Sequence, residues 1–230
     1  MEEQLHTNHR ERLRDRFLKD GLDSFEPHNV LELLLFYAQP RGDMNPLAHR
    51  LIDTFGSLSG VLDAAIEDLC SIKGMGKNTA VFLKMIPQLC RYYLDDKYQN
   101  GFIIDSTQKA GEFLLPKFVG RTNEVVYLVC LDNKGKVIHT TQVIEGSVNA
   151  TQVSARRIIE IAIRTNASAV IISHNHPNGV AIPSGADVAT TRDLDQALRL
   201  VGIQLMDHII VAEDDFTSMA DSGIITPVMR

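Results

Sequence analysis

An apolar run over residues 168–174, SAVIISH, ends in a histidine, and a second histidine follows two positions later. A short apolar run bounded by polar and turn residues is typical of a strand buried in the centre of a sheet. Side chains two positions apart in a strand lie on one face, so His174 and His176 are predicted to point the same way. Pro177 then ends the strand. The sequence therefore predicts a buried strand that brings two imidazoles to one edge of a sheet.

Strand-like and helix-like segments alternate around this strand. Strands are predicted at 124–132, 136–146 and 203–214, with Asn133-Lys134-Gly135 as a hairpin turn, and helices at about 150–165 and 184–200. This order predicts an α/β (α+β) domain in which a mixed sheet is flanked by helices.

The first part of the chain has a different pattern. Residues 1–97 are predicted to be all-α, and the strongly apolar segment 28–38 is expected to be a buried helix. The segment 95–101, DDKYQNG, has the polar composition of a linker. We therefore predict two domains, a helical one over 1–97 and an α/β one over 102–230, with the break within 95–104.

A possible metal site follows from the residues after the central strand. Ser184 and Asp187 have the spacing of a helix N-cap and its third helical residue. A loop that folds this helix start over the strand end would join Asp187 to His174 and His176. Two imidazoles and one carboxylate leave a zinc ion one open position, as in catalytic zinc sites. Taken singly, these residues also have ordinary roles at strand ends and helix starts, but their combination favours a metal site.

The pattern His174-x-His176-x(7)-Ser184-x(2)-Asp187 resembles the complete JAMM motif of the JAB/MPN metalloprotease superfamily. The surrounding segments SHNHPNG, PSGADV and DHIIV resemble the RadC branch of that superfamily. The likeness covers about residues 9–225, because FGSLSGVLDAAIEDLCSIKGMG resembles the helix-hairpin-helix region that precedes the JAB domain in RadC proteins. One segment departs from it: Ser154-Ala155-Arg156-Arg157 stands where RadC proteins commonly have His-Pro-Arg-Glu, and only Arg156 matches.

The resemblance implies a zinc-dependent metallopeptidase that acts on a peptide or protein substrate at a peptide or isopeptide bond. His174, His176 and Asp187 would hold Zn²⁺, and Ser184 would stabilise the oxyanion of the tetrahedral intermediate. The helix-capping role of Ser184 is compatible with that function. A zinc deaminase is the less favoured alternative, because the His-x-Glu and Pro-Cys-x-x-Cys signature is missing from the sequence.

JAMM proteins also use a glutamate on an early strand as general base. Glu124, which opens the segment EVVYLVCL, is the expected base, and Glu145 in VIEG is the alternative. Asn175, between the two histidines, is expected to point away from the metal and to hold the loop. For His208, a strand histidine bonded to the backbone, a partner of a metal ligand and a substrate contact all remain open.

The turn Gly74-Met75-Gly76 resembles that of a helix-hairpin-helix, in which backbone N–H groups contact a phosphate. Lys73 and Lys77 flank the turn and would add positive charge. The alternative function that the resemblance to RadC proteins implies is a DNA-associated repair or processing factor, and this turn would bind DNA weakly and without sequence preference. A helix hairpin used for packing or for protein contacts is the other reading of the same turn.

Composition limits the remaining classes. The net charge is −6, with 23 Lys and Arg against 29 Asp and Glu, which argues against strong general attraction to nucleic acid. The three cysteines form no Cys-x-x-Cys pair, so no thiolate zinc site is indicated. The polar N-terminus and the odd cysteine count predict a cytoplasmic protein, and no apolar run is long enough to span a membrane.

Overall fold

The computed structural model of the chain describes residues 2–98, 101–145, 155–177 and 179–225. The chain forms two compact units, Met1–Leu89 and Cys90–Arg230. Within the described ranges, no helix combines the length and apolar character that crossing a membrane requires.

The first unit consists of helices. They are α1 (Glu2–Asp20), α2 (Pro27–Ala38), α3 (Asn45–Phe55), α4 (Leu58–Asp63), α5 (Ile66–Ser71) and the first part of α6 (Lys77–Tyr98). Pro27 opens α2, where its missing N–H costs no helical hydrogen bond. The apolar segment predicted as a buried helix is α2, and its Leu31 and Leu35 are fully buried. The all-α prediction for this part of the chain is confirmed.

The second unit contains a five-stranded mixed sheet in the order β2-β1-β3-β4-β5. Its strands are β1 (Val125–Leu131), β2 (Val137–Glu145), β3 (Ala169–Asn175), β4 (Gln204–Ala212) and β5 (Asp215–Ser218). Its helices after α6 are α7 (Thr107–Leu114), a 3₁₀ turn (Leu115–Phe118), α8 (Ala155–Arg164) and α9 (Gly185–Leu200). Strands β3 and β4 are parallel, and the other pairs are antiparallel.

Helices cover both faces of the sheet, which explains why the central strands β1 and β3 are buried along their whole length. In β1, Val126 and Leu128 belong to the same core cluster as Ile158 of α8 and Leu198 of α9. Val129 contributes instead to the core cluster that contains the buried side chains of α7. The predicted α/β class, a mixed sheet flanked by helices, is confirmed.

Two details of the second unit differ from the sequence-based expectation. The segment predicted as one strand over 203–214 ends at Ala212, because Glu213 adopts a left-handed conformation with φ 54° and the chain reverses into β5. Helix α7 was not predicted. The hairpin turn is as expected: Gly135 has φ 73°, and a Cβ there would lie 2.6 Å from the Ile104 carbonyl oxygen.

Helix α6 continues beyond the division between the two units, which falls after Leu89 and therefore before the predicted 95–104 break. The last turns of α6 pack within the second unit. The Arg91 side chain donates to the Val119 carbonyl at 3.0 Å, and Lys117 Nζ lies 2.6 Å from Asp95 Oδ1. The Lys117 side chain is only 5% exposed, so Asp95 supplies the counter-charge for a buried cation.

We expect Asp95→Asn to lower the free energy of unfolding of the second unit by about 1–3 kcal/mol, because it leaves the buried Lys117 ammonium without a carboxylate. Urea titration of the full chain measures this. The neighbouring Asp96 is exposed, and Asp96→Asn is the matched control, with an expected change within about 0.5 kcal/mol. Equal losses in the two variants would mean that the Asp95–Lys117 pair does not stabilise this unit.

Candidate metal site

The candidate ligands lie where the carboxyl end of β3 meets the start of α9. His174 is the second-last residue of β3, and His176 directly follows the end of the strand. The His176 N–H donates a hydrogen bond to the Val211 carbonyl at 2.8 Å. Asp187 lies in the first turn of α9. Because β3 is a central strand between β1 and β4, its end is fixed on both sides.

Ser184 and Asp187 form a reciprocal cap at the start of α9. Ser184 Oγ accepts from the Asp187 N–H at 3.1 Å, and Asp187 Oδ2 accepts from the Ser184 N–H at 2.7 Å. This cap fixes the carboxylate, with Oδ1 toward His174. Since the Ser184 hydroxyl oxygen is the acceptor in the cap, its O–H remains a donor for another group.

Three side chains converge on one point. His174 Nε2 lies 3.0 Å from His176 Nε2 and 3.3 Å from Asp187 Oδ1, and His176 Nε2 lies 3.6 Å from Asp187 Oδ2. Two nitrogens that bind one tetrahedral zinc ion at its usual bond length are about 3.3 Å apart. The three residues therefore fit a divalent metal ion. The His174 and Asp187 side chains are buried and that of His176 is 24% exposed, so one side of the cluster is open.

The protonation states favour metal binding. Burial lowers the pKa of His174 to about 4, which keeps the imidazole neutral at physiological pH. Burial opposes ionisation of Asp187, but the hydrogen bonds from Ser184 and the nearby His174 outweigh it, and the pKa of the carboxyl is lowered. Neutral imidazoles and an ionised carboxylate are the forms that bind metal.

Glu124 lies beside this cluster. It directly precedes β1, which pairs with β3 so that Val126 is opposite His174. The charges of His176 and Asp187 both act on the Glu124 carboxyl group, which places it near these two ligands. Glu124 is half-buried, and burial raises its pKa, while His176 lowers it and Asp187 raises it further. A carboxyl group with a raised pKa beside a metal site is suited to proton transfer.

The alternative glutamate is one strand further from the ligands. The backbone of Glu145 pairs with Val125 at the end of β2, on the side of β1 away from β3. The carboxylate of Glu145 lies outside the described residues. Since neighbouring strands are about 4.8 Å apart, the backbone arrangement favours Glu124 as the group nearest the metal.

Asn175 is buried, and its side chain is hydrogen-bonded to backbone groups of another segment. Its Oδ1 accepts from the Val125 N–H at 2.8 Å, and its Nδ2 donates to the Asn123 carbonyl at 3.1 Å. These two backbone groups flank Glu124. The loop that Asn175 holds is therefore the one that carries the candidate base.

His208 is hydrogen-bonded to side chains on both ring nitrogens. Its Nε2 lies 2.8 Å from His174 Nδ1, and its Nδ1 lies 2.6 Å from Thr191 Oγ1. Of the three readings of His208, the partner of a candidate ligand matches these contacts. Thr191 was not predicted, although its position four residues after Asp187 places both on one face of α9.

The remaining predicted positions lie in other parts of the chain. Gly74 has φ 99° and turns the chain between α5 and α6, while Lys73 and Lys77 are exposed. Gly76 directly precedes α6, and its carbonyl accepts from the Ala80 N–H at 3.0 Å. Of the departing segment, Arg156 lies in α8 and pairs with Glu160 at 2.8 Å, and Ser154 is outside the described residues.

Comparisons with known proteins agree with this arrangement. Residues 104–224 match the family model described as a RadC-like JAB domain, and residues 5–81 match the UPF0758 N-terminal model. A UPF0758 protein of Fusobacterium nucleatum is 33% identical, over 98% of this chain and 100% of its own length. One from Burkholderia thailandensis is 35% identical, over 92% and 81% of the two chains. The chain therefore belongs to the RadC family, as a UPF0758 protein with a C-terminal RadC-like JAB domain.

Proposed function

We propose that this protein is a zinc-dependent metallopeptidase that hydrolyses a peptide or isopeptide bond. The main support is the convergence of His174 Nε2, His176 Nε2 and the Asp187 carboxylate at one partly open point. The neighbouring Glu124, whose pKa is raised by burial, is a further support, because such a carboxyl group can transfer protons. Membership of a JAB-domain family is compatible with hydrolysis.

Each residue has a distinct part in the proposed reaction. When bound, zinc supplies Lewis acidity and lowers the pKa of a bound water. Glu124 takes a proton from the attacking water and passes it to the leaving amine. The Ser184 O–H donates to the substrate carbonyl oxygen as negative charge develops on it, an interaction that strengthens in the transition state. The lowered pKa values keep His174 neutral and Asp187 ionised, which are the forms that bind a metal.

The test is hydrolysis of a peptide library and of isopeptide-linked peptides by the purified full chain. We expect cleavage that a chelator abolishes and added zinc restores. Cleavage that is insensitive to the chelator would overturn the proposal. So would the absence of any cleavage by a chain that carries one zinc ion at this cluster.

The proposed role of Asn175 leads to a separate prediction. Asn175→Asp keeps the shape of the side chain but replaces the donor to the Asn123 carbonyl with an acceptor. We expect Glu124 to be displaced and kcat to fall about 10–100-fold, with zinc content unchanged. Asn133→Asp, in the exposed hairpin turn, is the control and should have wild-type kcat. A wild-type kcat in Asn175→Asp would show that Asn175 does not position Glu124.

A second proposal, DNA binding by the helical part, is supported by the left-handed turn at Gly74 and the exposed Lys73 and Lys77. We expect any duplex binding to be weak, non-specific and steeply salt-dependent. Lys73→Glu with Lys77→Glu should abolish it, while Lys134→Glu in the exposed hairpin turn should not. Titration of a labelled duplex at low salt measures this. Undiminished binding by the double variant would locate DNA binding elsewhere.

A further inference from the structure

The two ring nitrogens of His174 have different roles in the proposed metal site: Nε2 would bind the metal, and Nδ1 is hydrogen-bonded to His208. Only one neutral tautomer allows Nε2 to bind the metal. The metal requires the lone pair of Nε2, so the proton must be on Nδ1. We propose that Thr191, acting through His208, is a positioning residue that selects this tautomer of His174. The inference rests on the metal site of the proposed function and assigns to it two residues outside the ligand set.

The direction of each hydrogen bond can be derived from Thr191. Its Oγ1 lies 2.5 Å from the carbonyl oxygen of Asp187. Two oxygens approach so closely only with a hydrogen between them, and a carbonyl cannot supply it. The Thr191 hydroxyl therefore donates to that carbonyl. The sulfur of Met219, at 3.6 Å, is a more distant and weaker acceptor.

The hydroxyl has a single hydrogen, so Thr191 Oγ1 must act as acceptor toward His208 Nδ1 at 2.6 Å. His208 then carries its proton on Nδ1, and its Nε2 has a lone pair. That lone pair accepts from His174 Nδ1 at 2.8 Å. His174 is left with an unprotonated Nε2, which is the atom that faces His176 and Asp187.

His176 reaches the same tautomer by a simpler route. Its Nδ1 lies 3.0 Å from the Val180 carbonyl oxygen, which can only accept. The tautomer of His176 is therefore fixed by the backbone. The partner of His174 is another imidazole, which can present either a donor or an acceptor, so its orientation depends on Thr191. The His174, His208 and Thr191 side chains are all buried, so their hydrogen bonds to one another replace those that solvent would make.

Loss of the Thr191 hydroxyl would allow the whole chain of hydrogen bonds to invert. Without it, the His208 Nδ1–H has no acceptor, and burying an unpaired donor is costly. Moving the proton to His208 Nε2 relieves that cost, but then His208 donates to His174 Nδ1. The proton of His174 would move to Nε2 and block the position that the metal needs.

The experiment compares Thr191→Val, which removes the hydroxyl, with Thr191→Ser, which keeps it, in the full chain. Long-range ¹H–¹⁵N correlation spectra of the metal-free protein report the tautomer, and competition with a chromophoric chelator reports zinc affinity. We expect wild type and Thr191→Ser to have His174 protonated on Nδ1. Thr191→Val should have the inverted tautomer and bind zinc about 10–100-fold more weakly. Thr190→Val, at the half-buried neighbouring position, is the control and should match wild type.

Three results would overturn the inference. They are a wild-type His174 already protonated on Nε2, wild-type zinc affinity in Thr191→Val, and a loss in Thr191→Ser as large as that in Thr191→Val. The last result would assign the effect to packing at this position rather than to the hydroxyl, because Thr191→Ser keeps the hydroxyl. A wild-type chain that binds no zinc would instead contradict the proposed function, while the tautomer in the metal-free protein would still decide the role of Thr191.

Discussion

His176→Ala is expected to weaken zinc binding by more than about 100-fold, so that the purified variant carries almost no metal. The estimate is a lower bound, because loss of a residue that only supports a ligand already costs about 10–100-fold. Removing His176 leaves one imidazole and one carboxylate, too few to hold zinc against exchange with water. Elemental analysis of the purified variant measures the metal content directly.

His139→Ala is the matched control for this variant. His139 is half-buried on β2 and is not one of the three converging ligands. We expect it to retain the zinc content of wild type. If His176→Ala also retained full zinc, the ligand assignment would be wrong. If both variants lost zinc, the effect would belong to folding rather than to a ligand.

Glu124→Gln is expected to keep zinc and to lower kcat by about 10²–10⁴-fold, the usual contribution of a general base. Glutamine has nearly the same shape as glutamate but cannot take up a proton from water. The hydrogen bonds that Asn175 makes to the backbone on either side of Glu124 do not involve the Glu124 side chain, so the loop should keep its position.

Glu112→Gln provides the control, because Glu112 is exposed on α7 and does not belong to the converging cluster. Its kcat should equal that of wild type. Measurement of kcat and zinc content on the same preparations separates loss of the base from loss of the metal. Wild-type kcat in Glu124→Gln, together with an inactive Glu145→Gln, would transfer the role of base to Glu145.

The candidate metal cluster was predictable because each ligand is marked by local sequence. The spacing of His174 and His176 at the end of an apolar run places both on one face of a strand. The spacing of Ser184 and Asp187 predicts the start of a helix, and in the structure these two residues form the capping box of α9. Only the return of the helix start to the strand end had to be assumed.

The groups that support the cluster were less predictable, because their contacts depend on long-range strand register. His208 reaches His174 because β4 pairs in parallel with β3, with His208 opposite Ile172. That register is set by packing across the sheet and by an irregularity in β4, where Met206 is skipped between the pairs Val170–Leu205 and Ile171–Asp207, and no local pattern encodes it. Asn175 was expected to hold a loop, but the loop itself, around Glu124, becomes adjacent only through the β1–β3 pairing.

The position of the boundary between the two units shows the limit of reading composition. The polar segment 95–101 has the character of a linker, yet α6 runs through most of it to Tyr98. The charge of Asp95 pairs with the buried ammonium group of Lys117, so it does not mark a linker exposed to solvent. A charged residue in a helix and a charged residue in a linker look alike until the partner is known.

The most direct test of the zinc site is an anomalous difference map of the crystallised full chain, with data collected on both sides of the zinc absorption edge. We expect one peak per chain, at about 2.0–2.2 Å from His174 Nε2, His176 Nε2 and Asp187 Oδ1. The Glu124 carboxylate should be the one nearest the open side of that peak. A zinc peak bound by other residues, or an empty cluster in crystals grown with excess zinc, would contradict the site and the function proposed for it.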